Sequence, residues 1–236
     1  MKKRNKFSIS IILPFLNEIN SLKKTITILE KIKFQKEYII IFSNELTNKK
    51  NKFELQRLKK SFKNLRYFSQ LKPFVGGAID LGIKKSKLEF IAIMASDLET
   101  NPNELIKMIR ISLKNPNSII SADRWLSQKG FSNYGLIKYF ANFFFQKLIK
   151  LIFKYEILDF TFTYRIYPRK ILKNLSITEF RHGFALELLL KPIKMGCNIM
   201  TIPATWRKRV EGTSSISIKS YFSYLKVLLK NLWFTL

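Results

Sequence analysis

The stretch Gly76–Pro102, GGAIDLGIKKSKLEFIAIMASDLETNP, is the one around which the other segments arrange themselves. It reads as a Gly-Gly turn beginning at Gly76, a short helix, the apolar strand Phe90–Met94, and then two carboxylates, Asp97 and Glu99. A run this apolar is a strand covered on both faces, the kind found in parallel sheets. Open α/β sheets bind ligands in the crevice outside the carboxyl ends of their strands, so the acids after Met94 stand where a ligand would lie. Residues two apart in an extended loop face the same way, which lets Asp97 and Glu99 reach one hard cation. A cation held there would seat a diphosphate. Taken alone, the pair also reads as a solvated acidic loop, and its surroundings must decide.

The 236 residues suffice for one large domain or two small ones. Net charge is +27, from 43 Lys and Arg against 16 Asp and Glu. That excess suits an anionic partner: nucleic acid, an acidic lipid surface or a phosphorylated substrate. It also suits a compositional bias, since Lys, Asn, Ile and Phe are abundant together and the lysines are scattered rather than gathered in one tail. A single cysteine, Cys197, excludes an internal disulfide and a cysteine-based zinc site, and the single histidine, His182, excludes a multi-histidine metal site. The opening MKKRNK is basic, but the apolar run after it lacks a small-residue cleavage site. No window of about 18 uncharged apolar residues exists. The expectation is a cytoplasmic protein, soluble or peripheral.

In order, Phe7–Pro14 has strand composition and is followed by a turn over Phe15–Asn20 and a helix over Ser21–Ile32. Tyr38–Phe42 is a second buried strand, residues 43–52 a polar loop, Phe53–Phe62 a helix and Leu65–Phe68 a third strand. After Pro102 come a helix over Asn103–Leu113 and a strand, Ser118–Ala122, closed by Asp123-Arg124-Trp125. Alternating strands and helices predict an α/β fold with a mainly parallel sheet.

The second half changes character. Leu136–Lys154 predicts a long helix with polar residues at Lys138, Asn142, Gln146, Lys150 and Lys154, spaced by four, and an apolar arc that suits core, lipid or both. Ile218–Phe234 repeats the pattern, with Lys219, Ser223, Lys226 and Lys230 along one side and headgroup-type aromatics on others. Either helix reads as a cap on the sheet or as a membrane-contacting surface.

The blocks PFLNE, GGAIDLGIKKSKLEFIAIMASDLETNPNEL, SADRW, DFTFTYRIYPRKIL and GFALELLLKPIKMGCNIMTIPATWRKRVEGTSS occur in an order that resembles the family 2 glycosyltransferases. More narrowly they are similar to the dolichyl-phosphate mannosyltransferase branch and its bacterial polyprenyl-phosphate relatives. The resemblance covers about residues 7–215, which makes 1–215 the expected catalytic domain and 216–236 an amphipathic C-terminal helix. It implies a nucleotide-diphospho-sugar transferase (GT-A) fold, Mg2+ or Mn2+ as cofactor, and inversion of the sugar's anomeric centre. The implied donor is a nucleotide-diphosphate sugar, and the implied acceptor a polyprenyl phosphate or glycan in cell-envelope or surface glycan synthesis.

Through that resemblance, Pro14, Leu16 and Glu18 fall on the nucleotide-contacting block, and Asp97 and Glu99 on the metal-site positions. Arg124 falls near the sugar and phosphates, Asp159 and Arg165 on a second charged block, and Arg209, Gly212 and Ser214 on a segment that closes over the diphosphate. Gly76 joins the donor-binding set and Lys138 the acceptor phosphate. A metal with Arg124, Arg165 and Arg209 would neutralise the leaving diphosphate, a task that suits the planar guanidinium. A phosphate acceptor needs no protein base, whereas a sugar hydroxyl does, with Asp159 and Glu187 as candidates.

The chain departs from its relatives' pattern in several places. Phe42-Ser43-Asn44 replaces an acidic pair, Ala95 the first Asp of D-x-D, Tyr134 an Arg, Lys138 a Ser and Ser215 a Lys. These departures keep open a homologue that binds nucleotide or a partner without catalysis. A nucleic-acid binder is motivated only by net charge, with no helix-turn-helix, zinc-finger or RNA-recognition signature beside it.

Overall fold

A computed structural model describes residues 7–132, 134–157, 159–212 and 218–233. The first half alternates β1 (Ser8–Phe15), α1 (Ile19–Leu29), β2 (Gln35–Phe42), α2 (Lys49–Ser61), β3 (Leu65–Ser69), α3 (Phe74–Lys85) and β4 (Phe90–Ile93). The second half adds α4 (Pro102–Lys114), β5 (Ile119–Asp123), α5 (Leu136–Phe153), β6 (Arg165–Pro168), α6 (Arg169–Lys173), α7 (Phe184–Lys194), β7 (Ile199–Pro203) and α8 (Ile218–Trp233). The strands form one sheet in the order β3-β2-β1-β4-β6-β5-β7. All neighbouring pairs are parallel except those of β6, which is antiparallel to β4 and β5.

The pleat of β1 shows how the layers are built. Ile9, Ile11 and Leu13 pack with Leu22, Ile26, Leu105 and Met108 of α1 and α4, while Ile12 points to the other face with Ile79 and Phe184 of α3 and α7. Both faces are therefore covered, and the strand reads as a continuous apolar run. The chain winds outward from β1 through β2 to β3, then returns to lay β4 on the other side of β1. This reversal leaves a crevice beyond the carboxyl ends of β1 and β4.

Three expectations change. The Gly-Gly turn lies inside α3, in the first turn of the helix. A Cβ on Gly76 would stand 2.6 Å from Phe180 Cα, and the Gly76 amide donates to Phe180 O at 2.8 Å. The glycine permits a close backbone approach rather than a change of direction. Gly76→Ala should therefore lower the urea midpoint, at a cost of about 1–3 kcal/mol. Second, α2 starts earlier than expected, at Lys49, because the Asn48 side chain accepts from the Asn51 amide at 2.8 Å and caps it. Third, residues 165–168 form a central strand that the alternating pattern did not announce.

Candidate active site

The crevice is built from the segments that leave β1 and β4. Glu18 folds back on its own loop, accepting from the amides of Leu16 at 3.1 Å and Asn17 at 2.9 Å. The Ser96 hydroxyl, between the β4 segment and this loop, donates to Glu18 Oε1 at 2.6 Å and also touches Pro14 O. A buried carboxylate is thus fixed by neighbouring hydroxyl and amide donors. Asn17 extends the network, donating to Leu46 O and accepting from the Asn48 amide, so the loop after β2 is tied to the loop after β1. Leu16 remains exposed at the mouth.

Asp97 and Glu99 converge, but not through an extended loop. Leu98 takes φ +65°, a left-handed conformation that costs free energy for a leucine, and the Asp97 carboxylate accepts from the Glu99 amide at 3.0 Å. Both side chains meet one guanidinium. Arg209 Nε donates to Glu99 Oε1 at 2.8 Å, and its Nη2 lies 3.4 Å from Asp97 Oδ2. Burial, then repulsion from Glu99, pushes the Asp97 carboxyl up to about 6 despite Arg209. The segment carrying Arg209 is itself anchored. The Arg207 amide donates to Glu99 O, and Glu211 accepts from the Ser21 amide and the Asn20 side chain at the start of α1, each at 2.7 Å. Gly212 follows with φ +82°, which favours glycine there.

Two hard carboxylates converging on one cationic group fit a divalent ion of the Mg2+ type, which commonly takes one or two carboxylates and fills its remaining positions with water and substrate phosphate. Among the described residues no third acidic, histidine or cysteine side chain completes a protein-only cage. The residues that would hold the ion are Asp97 and Glu99.

Arg124 and Asp159 form a second, buried centre, with Arg124 at the wall of a neighbouring cavity. Both are buried, and Arg124 donates to the two Asp159 oxygens at 2.6 and 3.0 Å. Its guanidinium also lies over Phe131 and Phe162, 4.9 and 4.7 Å from their ring centres. Burial would raise the Asp159 carboxyl, but Arg124 outweighs it and holds it below the usual range. An ion so engaged is no proton acceptor. Arg165 lies deeper, donating to Ser121 Oγ, Ala185 O and Phe160 O, with no exposed surface. The arginine clamp expected of Arg124, Arg165 and Arg209 is therefore drawn by the structure with Arg209 alone on the acidic loop. The other two position the loops behind it.

The remaining candidates separate. Glu187 accepts from the Thr178 and Glu179 amides and pairs with Lys191, so it too is engaged structurally. Lys138 is exposed on the first turn of α5. Ser214 and Ser215 lie outside the described residues. Burial, then the nearby Arg209 and Arg181, holds the His182 imidazole below its ordinary value. Ser96 and Glu211 have no sequence signal of their own; the first is a lone hydroxyl and the second a surface-type acid until the fold brings partners to them. Beside the crevice, Trp125, Lys129, Phe131, Tyr139 and Arg207 help to line a cavity of about 750 Å3.

The sheet order, with acids at the β1–β4 reversal, defines a nucleotide-diphospho-sugar transferase fold of the GT-A type. The chain belongs to glycosyl transferase family 2, whose model matches residues 10–176. Solved structures with this fold include a mycobacterial protein, at TM-score 0.71 and 15% identity over 96% of this chain and 75% of that one. They also include glucosyl-3-phosphoglycerate synthase from Mycobacterium tuberculosis in complex with Mn2+, UDP and glucosyl-3-phosphoglycerate, at TM-score 0.69 and 15% identity over 96% and 80%. The same enzyme with Mn2+, UDP and phosphoglyceric acid matches at TM-score 0.70 and 15% identity, over 97% and 80%. At this identity the likeness concerns the fold.

Proposed function

We propose that the chain transfers a sugar, with inversion, from a nucleoside-diphosphate donor to a polyprenyl phosphate or glycan, working at the inner face of the cell membrane. The observation that carries this reading is the convergence of Asp97 and Glu99 on one cationic position at the β1–β4 crevice, beside the fixed Glu18. Asp97 and Glu99 would hold Mg2+ or Mn2+, which when bound supplies positive charge to the leaving diphosphate. Arg209 adds a guanidinium on the same side, suited to phosphate oxygens. Glu18 and the loop it orders form the wall that receives the nucleotide. Both candidate bases for a hydroxyl acceptor, Asp159 and Glu187, are engaged by cations and amides. That supports an acceptor which is already nucleophilic, a phosphate, and with it the polyprenyl-phosphate branch.

The two glucosyl-3-phosphoglycerate synthase complexes carry UDP, so UDP is the first nucleotide to try. Calorimetry of UDP and GDP, each with and without manganese, should show binding that depends on the metal for one of them. Incubating the matching sugar nucleotide with a polyprenyl phosphate should then give a glycosylated lipid. Metal-dependent binding with no transfer to lipid phosphate or glycan would favour the non-catalytic homologue.

A further inference from the structure

Helix α5 is inside out. Its polar side chains Asn142 and Gln146 turn to the protein, where Gln146 accepts from the Phe160 amide at 2.8 Å and donates to Thr161 Oγ1 at 2.9 Å. Asn142 is held beside it by contacts to Gln146 and Tyr134. Its apolar side chains face away. Ile137 is 87% exposed, Phe144 67% and Leu151 76%, with Phe140 and Leu148 completing a stripe spaced by three and four. The neighbouring helix α8 repeats this. Ser223 and Asn231 are buried while Phe222, Leu225, Leu229 and Leu232 are exposed. The two helices adjoin, with the Phe145 and Tyr224 rings 5.7 Å apart and Ile149, Val227 and Leu228 in one buried cluster.

A surface helix facing water has the opposite arrangement, and exposed apolar area on this scale marks a partner or a membrane. Charge selects between them. Neither helix contains an acidic residue, and exposed Lys138, Lys147, Lys226 and Lys230 accompany the stripes. A second copy meeting this face would set lysine against lysine, whereas an anionic bilayer meets it with opposite charge. No described helix is long and apolar enough to cross a membrane, so the face would lie in the headgroup boundary.

We propose that α5 and α8 together are the docking face of this protein on an anionic lipid bilayer. Tyr139, in the first turns of α5, lines the cavity that also holds Lys129 and Arg207, so docking through α5 sets that cavity beside the lipid. This deepens the membrane-side acceptor reading, but its test involves no sugar transfer, and either can fail without the other. Flotation with phosphatidylcholine vesicles containing about 30 mol% phosphatidylglycerol is expected to carry the full chain, more strongly than phosphatidylcholine alone. The variant Ile137→Asn/Phe144→Asn/Leu151→Asn should lose about tenfold or more of that partitioning, with melting temperature and UDP binding unchanged. Phe222→Asn/Leu229→Asn should lose part of it. Vesicle binding undiminished in the α5 variant would overturn the proposal. A wild type that ignores vesicles and forms a dimer that the α5 variant dissolves would overturn it too, making the face one of self-association.

Discussion

Asp97→Asn is expected to abolish the metal-dependent nucleotide binding proposed above and, at the same time, to raise the melting temperature of the metal-free protein. The first effect follows from the loss of one of two convergent carboxylates, and transfer should fall by about 100-fold or more. The second follows from the cost of keeping Asp97 ionised. Its carboxyl is pushed from 3.8 up to about 6, first by burial and then by Glu99, so the folded state binds this proton more tightly than the unfolded chain does. The sign is the reverse of the usual acid. Asp97 reduces stability as pH rises from about 4 through about 6, and the full penalty stands at pH 7. Asparagine keeps the shape and removes the charge, and it leaves the 2.8 Å Arg209–Glu99 pair in place. A gain of about 2–6 °C at pH 7, shrinking towards zero below about pH 4, is the expected calorimetric result. A lower melting temperature at pH 7 would show that the Arg209 contact outweighs burial. Retained manganese-dependent UDP binding would move the metal away from Asp97.

Asp159→Ala is expected to be the most damaging single change for the fold. It would strip Arg124 of both carboxylate contacts while leaving the guanidinium buried among Phe131, Phe162 and Tyr134. Breaking a buried pair from one side costs about 3–5 kcal/mol, because an uncompensated charge remains. For a chain of this size that corresponds to a melting temperature about 10 °C lower, or to failure to accumulate folded protein. The double variant Arg124→Met/Asp159→Leu separates a structural pair from a catalytic one. It should melt above either single variant, since replacing both ions removes the unpaired charge. If Asp159→Ala melted like the wild type yet lost transfer, the pair would belong to the chemistry and not to the scaffold.

The alternation of strands and helices is legible in the residues alone, because an apolar run bounded by polar turns has few other uses, and β1, β2 and β4 are buried where their composition places them. The residues also determine the family, through blocks whose order survives, and they mark Asp97, Glu99, Glu18 and Arg209, which the fold brings to one crevice. Which charges are engaged elsewhere emerges only once the chain is folded. Arg124, Arg165 and Arg209 look alike in a sequence, yet two are buried on Asp159, hydroxyls and backbone carbonyls while the third meets the acidic loop. Gly76 reads as a turn in the sequence because a glycine pair carries no mark of the Phe180 backbone that approaches it. The polar stripe of α5 was visible in its spacing, but periodicity gives a face and not its direction. The direction came from residues 159–161, which offer Gln146 buried partners and so turn the apolar side outward. Hydrogen-bonding partners distant in sequence are not encoded in local pattern, and a buried polar group settles its orientation only when those partners arrive.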